Sequence, residues 1–261
     1  MKKFTKFLCG TALVCLITGF AFCIASICFG FGSGDMEQVM SAGSRQFQEA
    51  KTLLNRHGFE SVSQEDVEFE DSYTDIRNLK IDSAVAECVL VPYDGEKIQV
   101  TGYHLPTGFI CEKSGSTLHI KTSKDVLDYF GFHQETSYLE IRIPESLEFE
   151  SLEIDAGVGE VSMDGMVSCG KADVECGVGS CILMLDVREK LDLECGVGEI
   201  NLVLTGKKRD YNYRLECGIG SIQIDGDSYS ELGGKQKLDH GADREIDADC
   251  GVGSVSIEFE G

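Results

Sequence analysis

Apolar and polar residues alternate with period two through much of the chain, most regularly between residues 147 and 261. In Leu191-Asp192-Leu193-Glu194-Cys195 the apolar and acidic positions take turns, and beyond Gly196-Val197-Gly198 the alternation resumes with Glu199, Ile200, Asn201 and Leu202. Successive side chains of a strand point to opposite faces, so each half predicts a half-buried strand. Gly-Val-Gly is the bend between them, where glycine accepts backbone angles that other residues resist. The phrase recurs as IDAGVGEVSM from Ile154, VECGVGSCIL from Val174, LECGVGEINL from Leu193, LECGIGSIQI from Leu215 and ADCGVGSVSI from Ala248. Recurrence at about 20 residues is the mark of a repeat architecture.

Stacking such coils would pair strands about 4.8 Å apart and set like residues above like. Three rows follow. The inward row is Ala156, Cys176, Cys195, Cys217 and Cys250. The bend row holds five glycine pairs: Gly157 and Gly159, Gly177 and Gly179, Gly196 and Gly198, Gly218 and Gly220, Gly251 and Gly253. The outward row is acidic: Asp155, Glu175, Glu194, Glu216 and Asp249. The last interval, Gly218 to Gly251, is 33 residues and predicts a loop bulging from the stack within 226–245.

Upstream, residues 76–82, 85–91, 97–103, 117–122 and 138–143 read as strands, Pro144 ends one, and the regular repeats begin near Leu147. No convincing helix follows residue 60, and 3 prolines with 30 glycines suit a β chain with many tight bends. The N-terminal region differs. Lys2, Lys3 and Lys6 precede an uncharged run over residues 7–31, long enough to cross a hydrocarbon core of about 30 Å as a helix. A cleaved signal peptide is the rival reading. The length of the run and the lack of an Ala-x-Ala site favour an uncleaved anchor, and Phe22 before Cys23 and Ile27 before Cys28 disfavour a lipobox. The lysines before the span place the N-terminus in the cytoplasm and the remainder outside. Asp35 is a fitting N-cap, and Met36, Met40, Gly43, Phe47, Ala50 and Leu54 form a heptad stripe ending near Gly58. Residues 35–57 therefore read as a juxtamembrane helix, packed on its own domain or paired with a second copy.

The pattern thus predicts an all-β, parallel β-solenoid or β-helix-like stack of ~20-residue repeats behind a transmembrane helix and a short juxtamembrane helix. The divisions are 1–32, 33–60 and 61–261.

Charge narrows the partners. The net charge is −22, or −25 without the three N-terminal lysines. That excludes nucleic acid and anionic lipid surfaces, which need a basic patch. The remaining partners are the bilayer, through residues 7–31, and an envelope protein or glycan; oligomeric state stays open. The acidic row is the one place for a cofactor, a divalent cation relieving repulsion between adjacent strands. Solvated, screened carboxylates are the simpler reading. Of 12 cysteines, four lie in the span. Stacked cysteines lie within reach of a disulfide, but a dry row of thiols suits small buried hydrophobes.

Other motifs carry little. Calcium β-rolls place aspartate after the glycines, where this chain has Glu160, Ser180, Glu199, Ser221 and Ser254. Gly165 to Ala172 nearly spells a phosphate loop, but Ala172 replaces the Ser/Thr that would hold magnesium. A metal site from His104, His119 and His133 with Cys88 and Cys111 lacks recognisable spacing. There is no Trp to stack a sugar, no distinctive acid pair and no nucleophile elbow, so no catalytic residue is assigned.

Tyr138-Leu-Glu-Ile-Arg-Ile-Pro-Glu followed by Leu152-Glu-Ile-Asp-Ala-Gly-Val-Gly-Glu-Val-Ser resembles the bacterial putative-adhesin family of β-strand-repeat cell-surface proteins. The resemblance spans roughly 75–260. The family's usual Gly-Asp bend is Gly-Val-Gly-Glu or Gly-Val-Gly-Ser here, with cysteine before it. The resemblance implies a solenoid-like domain behind a membrane anchor and brings no catalytic residues. It supports a non-catalytic surface binding or structural module. The alternative is a sensory or regulatory component of an envelope stress system, and a glycan-active enzyme ranks last.

Overall fold

Strands built on the two-residue alternation dominate the computed structural model, which describes residues 67–106, 108–122, 137–229 and 234–261. The predicted membrane span and the helix at 35–57 lie outside these residues. Among the described residues no helix is long and apolar enough to cross a membrane. The strands are β1 (Val67–Tyr73), β2 (Asn78–Tyr93), β3 (Ile98–Tyr103), β4 (Ile110–Ser114), β5 (Thr117–Thr122), β6 (Tyr138–Pro144), β7 (Glu148–Met163), β8 (Val167–Thr205), β9 (Tyr211–Cys217), β10 (Ser221–Ile224), β11 (Asp227–Ser228), β12 (Gly234–Leu238), β13 (Arg244–Cys250) and β14 (Ser254–Glu260).

Each copy of the repeat is an arm, a bend and a second arm, and neighbouring copies pair parallel with like residues opposed. β7 lies on β8 with Asp155 against Glu175, Ala156 against Cys176 and Val158 against Val178. A methyl group on Gly177 would sit 2.7 Å from the Gly157 carbonyl oxygen, and one on Gly196 would sit 2.9 Å from that of Gly177. The backbones therefore touch at the bend, and any side chain there would push the coils apart. Away from the bend, alternate residues of both arms enter one buried cluster that includes Ile81, Ile154, Val174, Leu193, Ile200 and Ile257. Each such aliphatic contributes ~1.5–3 kcal/mol over leaving it in water.

The structure corrects the sequence reading in four places. First, the stack does not follow chain order. β13 pairs with β8 on one side, Cys250 against Cys195, and with β9 on the other, Cys250 against Cys217. The fifth copy thus lies between the third and fourth. Second, residues 226–245 do not simply bulge outward. β12 pairs antiparallel with β9 and β11 with β10, finishing the end of the stack. Third, the stack begins before Leu147. β2 is one continuous strand, not two, and matches β7 from Asn78–Ser151 to Leu90–Met163, with Ala86 opposite Gly159. It is a sixth rung in which Ala84-Val85-Ala86 stands for Gly-Val-Gly.

Fourth, the glycine phrase does not divide two strands in every copy. In the first three copies the strand runs unbroken through it, inside β7 and β8. Only Gly218-Ile219-Gly220, between β9 and β10, and Gly251-Val252-Gly253, between β13 and β14, interrupt a strand. Backbone bonds still cross those two bends, from the Gly218, Ile219 and Ser221 amides to the Cys250, Gly251 and Gly253 carbonyls and from the Gly251 and Val252 amides to the Cys195 and Gly196 carbonyls. The close approach survives the interruption. A methyl group on Gly220 would collide with the Gly253 carbonyl, and one on Gly253 with the Gly198 carbonyl.

Both ends close with antiparallel strands. β4 pairs with β5, and β1 with β3, which pairs with β6. β4 and β12 are short and carry Glu112, Lys113, Lys235 and Lys237, the kind of charged edge that discourages further strand addition.

Close approach at the bend sets a prediction. A methyl group at Gly179 would collide with the Gly159 carbonyl, whereas at Gly115 it meets nothing within 4 Å. Gly179→Ala should cost ~1–3 kcal/mol or more through overpacking, on top of any backbone strain. Gly115→Ala should cost only the ~1–2 kcal/mol of its left-handed backbone. Urea unfolding of the two variants measures both, and equal losses would contradict the contact.

Candidate functional site

The repeat brings three side-chain rows to the bend, one inside and two outside. Because the coils are in register, residues about 20 apart in sequence become nearest neighbours, and the predicted inward row assembles as Ala156, Cys176, Cys195, Cys250 and Cys217. It continues past Ala156 to Ser83 and Thr122, both buried. Among the described residues the Ser83 hydroxyl has no hydrogen-bond partner. All eight cysteines of the described region are free thiols. Contacts run along the row from Cys176 to Cys195, Cys250 and Cys217, with Cys181 joining Cys176 from the second arm. The Cys181 contact, added to burial, pushes the Cys176 thiol up to about 11. Burial alone pushes Cys88 up to about 12. Thiols held in this way are neutral and poor nucleophiles.

The predicted glycine row assembles beside it. Gly159, Gly179, Gly198, Gly253 and Gly220 follow one another from coil to coil, each against the backbone of the one before. These members offer one another only main chain, so the row holds the coils together and leaves binding to its neighbours.

The acidic row also assembles, and it is longer than expected. Asp82 precedes Asp155, and Glu175, Glu194, Asp249 and Glu216 follow. The five predicted members are exposed. Among the described residues lysines form salt bridges with the row at its ends, Lys121 on Asp82 and Lys235 on Glu216, and Lys80 acts on Glu175 without forming one. The neighbouring outward row is mixed in sign and largely paired, with Lys80 on Glu153 and Arg214 on Asp247 within it and Lys190 reaching Asp192 from the next outward row. Burial first, and then Asp155 and Glu194, raise the Glu175 pKa, and burial with Asp192 and Glu153 does the same for Asp173. A linear row spaces its carboxylates along the stack instead of converging them. Among the described residues no group of three or more His, Cys, Asp or Glu side chains is placed to hold a metal ion.

The third row was not recognised in the sequence, although its signal was there. The residue between the two glycines, always Val or Ile, points into solvent. Val178, Val197, Val252 and Ile219 are 52%, 55%, 51% and 55% exposed. Val158 is half-buried, and Val85 takes the same register in β2. The backbone bonds from Val252 to Gly196 and from Ile219 to Gly251 keep the order across the rearranged copies. The result is an unbroken aliphatic ridge along the bend, parallel to the acidic row.

The remaining sequence candidates do not come together. Gly170, Lys171 and Ala172 lie inside β8, with Ala172 buried opposite Leu152, so nothing cradles a phosphate. Cys88 is wholly buried, His119 pairs with Glu112 between β5 and β4, and His133 is outside the described residues. A surface cavity of about 380 Å³ over β8, β13, β9 and β12 has Asp192, Arg214, Glu216, Lys235 and Asp247 among its walls. Lys235 and Arg214 are already committed there to Glu216 and Asp247, at 2.5 and 2.9 Å.

No protein-family model matches the chain, and no curated protein does. Solved structures do. A putative cell adhesion protein from Clostridium sporogenes is 17% identical, over 74% of this chain and 99% of that one, with a TM-score of 0.46. A putative adhesin from Bacteroides fragilis is 14% identical over 74% and 96%, TM-score 0.33. One from Parabacteroides merdae is 13% identical over 76% and 98%, TM-score 0.31.

Two outcomes follow from the rows. A carboxylate whose pKa is raised on folding stabilises the fold below the ordinary carboxylate range and loses that contribution as pH rises through its folded pKa. Asp173 and Glu175 are such groups, so their contribution to Tm should climb as pH falls from neutral toward the ordinary carboxylate range of about 4. Glu175→Gln should melt higher than the parent at neutral pH and show a smaller climb; an equal climb in the two would contradict the row's repulsion. In peptide-mapped iodoacetamide labelling of the folded chain, half-buried Cys111 should react before Cys88, Cys169, Cys176, Cys181, Cys195, Cys217 and Cys250. Prompt labelling of Cys195 would show that the thiol row is open.

Proposed function

We propose that the chain is a membrane-anchored, extracytoplasmic β-solenoid that serves as a non-catalytic binding or structural module of the cell surface, adhesin-like in character. The observation that carries this reading is the outward face of the bend. Five rungs repeat the same residue types in register, giving a long, uniform edge in place of a single pocket. A uniform edge suits attachment to an extended partner, since every rung offers the same contact. Catalysis requires the opposite, a few groups with pKa values driven apart at one point. The carboxylates here are instead dealt evenly along a line. The resemblance to β-strand-repeat surface proteins in Tyr138–Glu145 and Leu152–Ser162 points the same way. The anchor and orientation rest on Lys2, Lys3, Lys6 and the apolar run over 7–31.

The test has two parts. Intact cells producing the full chain are treated with protease, and the purified full chain is incubated with cell envelopes and isolated wall glycan. The expected result is cleavage at the surface of intact cells, saturable retention on envelope material, and no release of sugar. Protection from protease in intact cells would refute the location, and glycan turnover would refute the non-catalytic role.

A further inference from the structure

We propose that the aliphatic ridge is a docking surface for a basic amphipathic helix. The ridge is a line of β-branched residues, Val158, Val178, Val197, Val252 and Ile219, four of them more than half exposed. Scattered exposed aliphatics need no explanation, but a contiguous row on a soluble surface marks an interaction site. Strand propensity alone does not account for it, because Thr would serve an exposed bend equally well without presenting hydrocarbon to water. All five Gly-Val-Gly and Gly-Ile-Gly phrases carry the aliphatic, and so does Ala84-Val85-Ala86.

Spacing selects the secondary structure of the partner. Neighbouring rungs are about 4.8 Å apart. Apolar residues every 3.5 positions of an α-helix advance about 5.2 Å along its axis, nearly in step with the rungs. Same-face residues of an extended strand advance about 6.6 Å and fall out of step within two rungs. Five rungs would take a helix of about 13 residues.

Charge selects its composition. Asp155, Glu175, Glu194, Asp249 and Glu216 run beside the ridge three residues before its members, and Glu160 and Glu199 stand two residues after theirs. Among the described residues the salt bridge from a lysine to this row is the one on Glu216, and Lys80 acts on Glu175 without forming one, so Asp155, Glu175, Glu194 and Asp249 remain to pair with incoming cations. Lys or Arg beside the apolar stripe would meet carboxylates on both sides. The same carboxylates repel nucleic acid, anionic lipid and a second copy of this chain, whose own ridge is bordered by acids.

This inference rests on the reading of the chain as a binding module and names its partner's chemistry. The experiment uses the full chain and a fluorescent 21-residue peptide with Leu at a and d and Lys at the flanking positions; a second peptide has Glu for each Lys. Anisotropy is read at low and high salt. The Lys peptide should bind and the Glu peptide should not, with affinity falling as salt rises. V178T/V197T/V252T should weaken binding at least tenfold without moving Tm, since Thr keeps the branched shape at exposed positions. E175Q/E194Q should weaken it and flatten the salt dependence. Binding unchanged in the threonine variant, or equal binding of the Glu peptide, overturns the proposal. So does self-association by sedimentation, or retention on phosphatidylglycerol vesicles, that the threonine variant abolishes. A chain that binds envelope glycan but ignores the Lys peptide keeps the binding-module reading and loses this one.

Discussion

Backbone-to-backbone contact at the bend is the constraint on which the rest depends. At Gly177, Gly196, Gly218 and Gly251 the space a methyl group would take lies 2.7 to 2.9 Å from the carbonyl oxygen of the neighbouring coil. Coils that close cannot slip. A shift of one residue would turn every buried side chain outward and bring a valine into the place of a glycine. Register is therefore fixed at the bend, and the arms inherit it.

Once register is fixed, everything the repeat carries is multiplied into a row. The thiols become a buried line of contacts, the carboxylates a line of like charge, and the central valines a ridge. These rows oppose one another energetically. Burial along the inward row stabilises the stack, whereas repulsion along the acidic row opposes it by a few tenths to about 1 kcal/mol per adjacent pair. Lys121 and Lys235 relieve that repulsion only at the two ends. The surface thus keeps a largely unpaired acidic line beside an exposed aliphatic one, the two features on which the proposed basic, amphipathic partner rests.

The alternation and the glycine phrase made most of the strands and the membership of the inward and acidic rows legible before any coordinates, but not that three of the five phrases lie inside unbroken strands. The order of the coils was not legible, and the reason is physical. Cys195 finds an equally good neighbour in Cys217 or Cys250, because identical repeats offer identical partners. Adjacency is decided elsewhere, by β12 folding back on β9 and leaving the last copy to enter between β8 and β9. The sixth rung escaped notice because Ala84 and Ala86 erase the glycine signature while the strand alternation around them persists. The ridge was visible as an unvarying Val or Ile, but it was absorbed into the bend, since the alternation says nothing about which way a residue faces between two glycines.

The rearranged stack is the claim most open to a direct check. Cysteine pairs placed on the exposed ridge, V197C/V252C, V252C/I219C and V197C/I219C, can be oxidised and mapped by mass spectrometry, because only adjacent strands bring Cα atoms within the roughly 4.4–6.8 Å a disulfide spans. Efficient cross-links are expected in the first two pairs and none in the third. A cross-link between positions 197 and 219, with none from 197 to 252, would mean that the coils stack in chain order and that the arrangement described here is wrong.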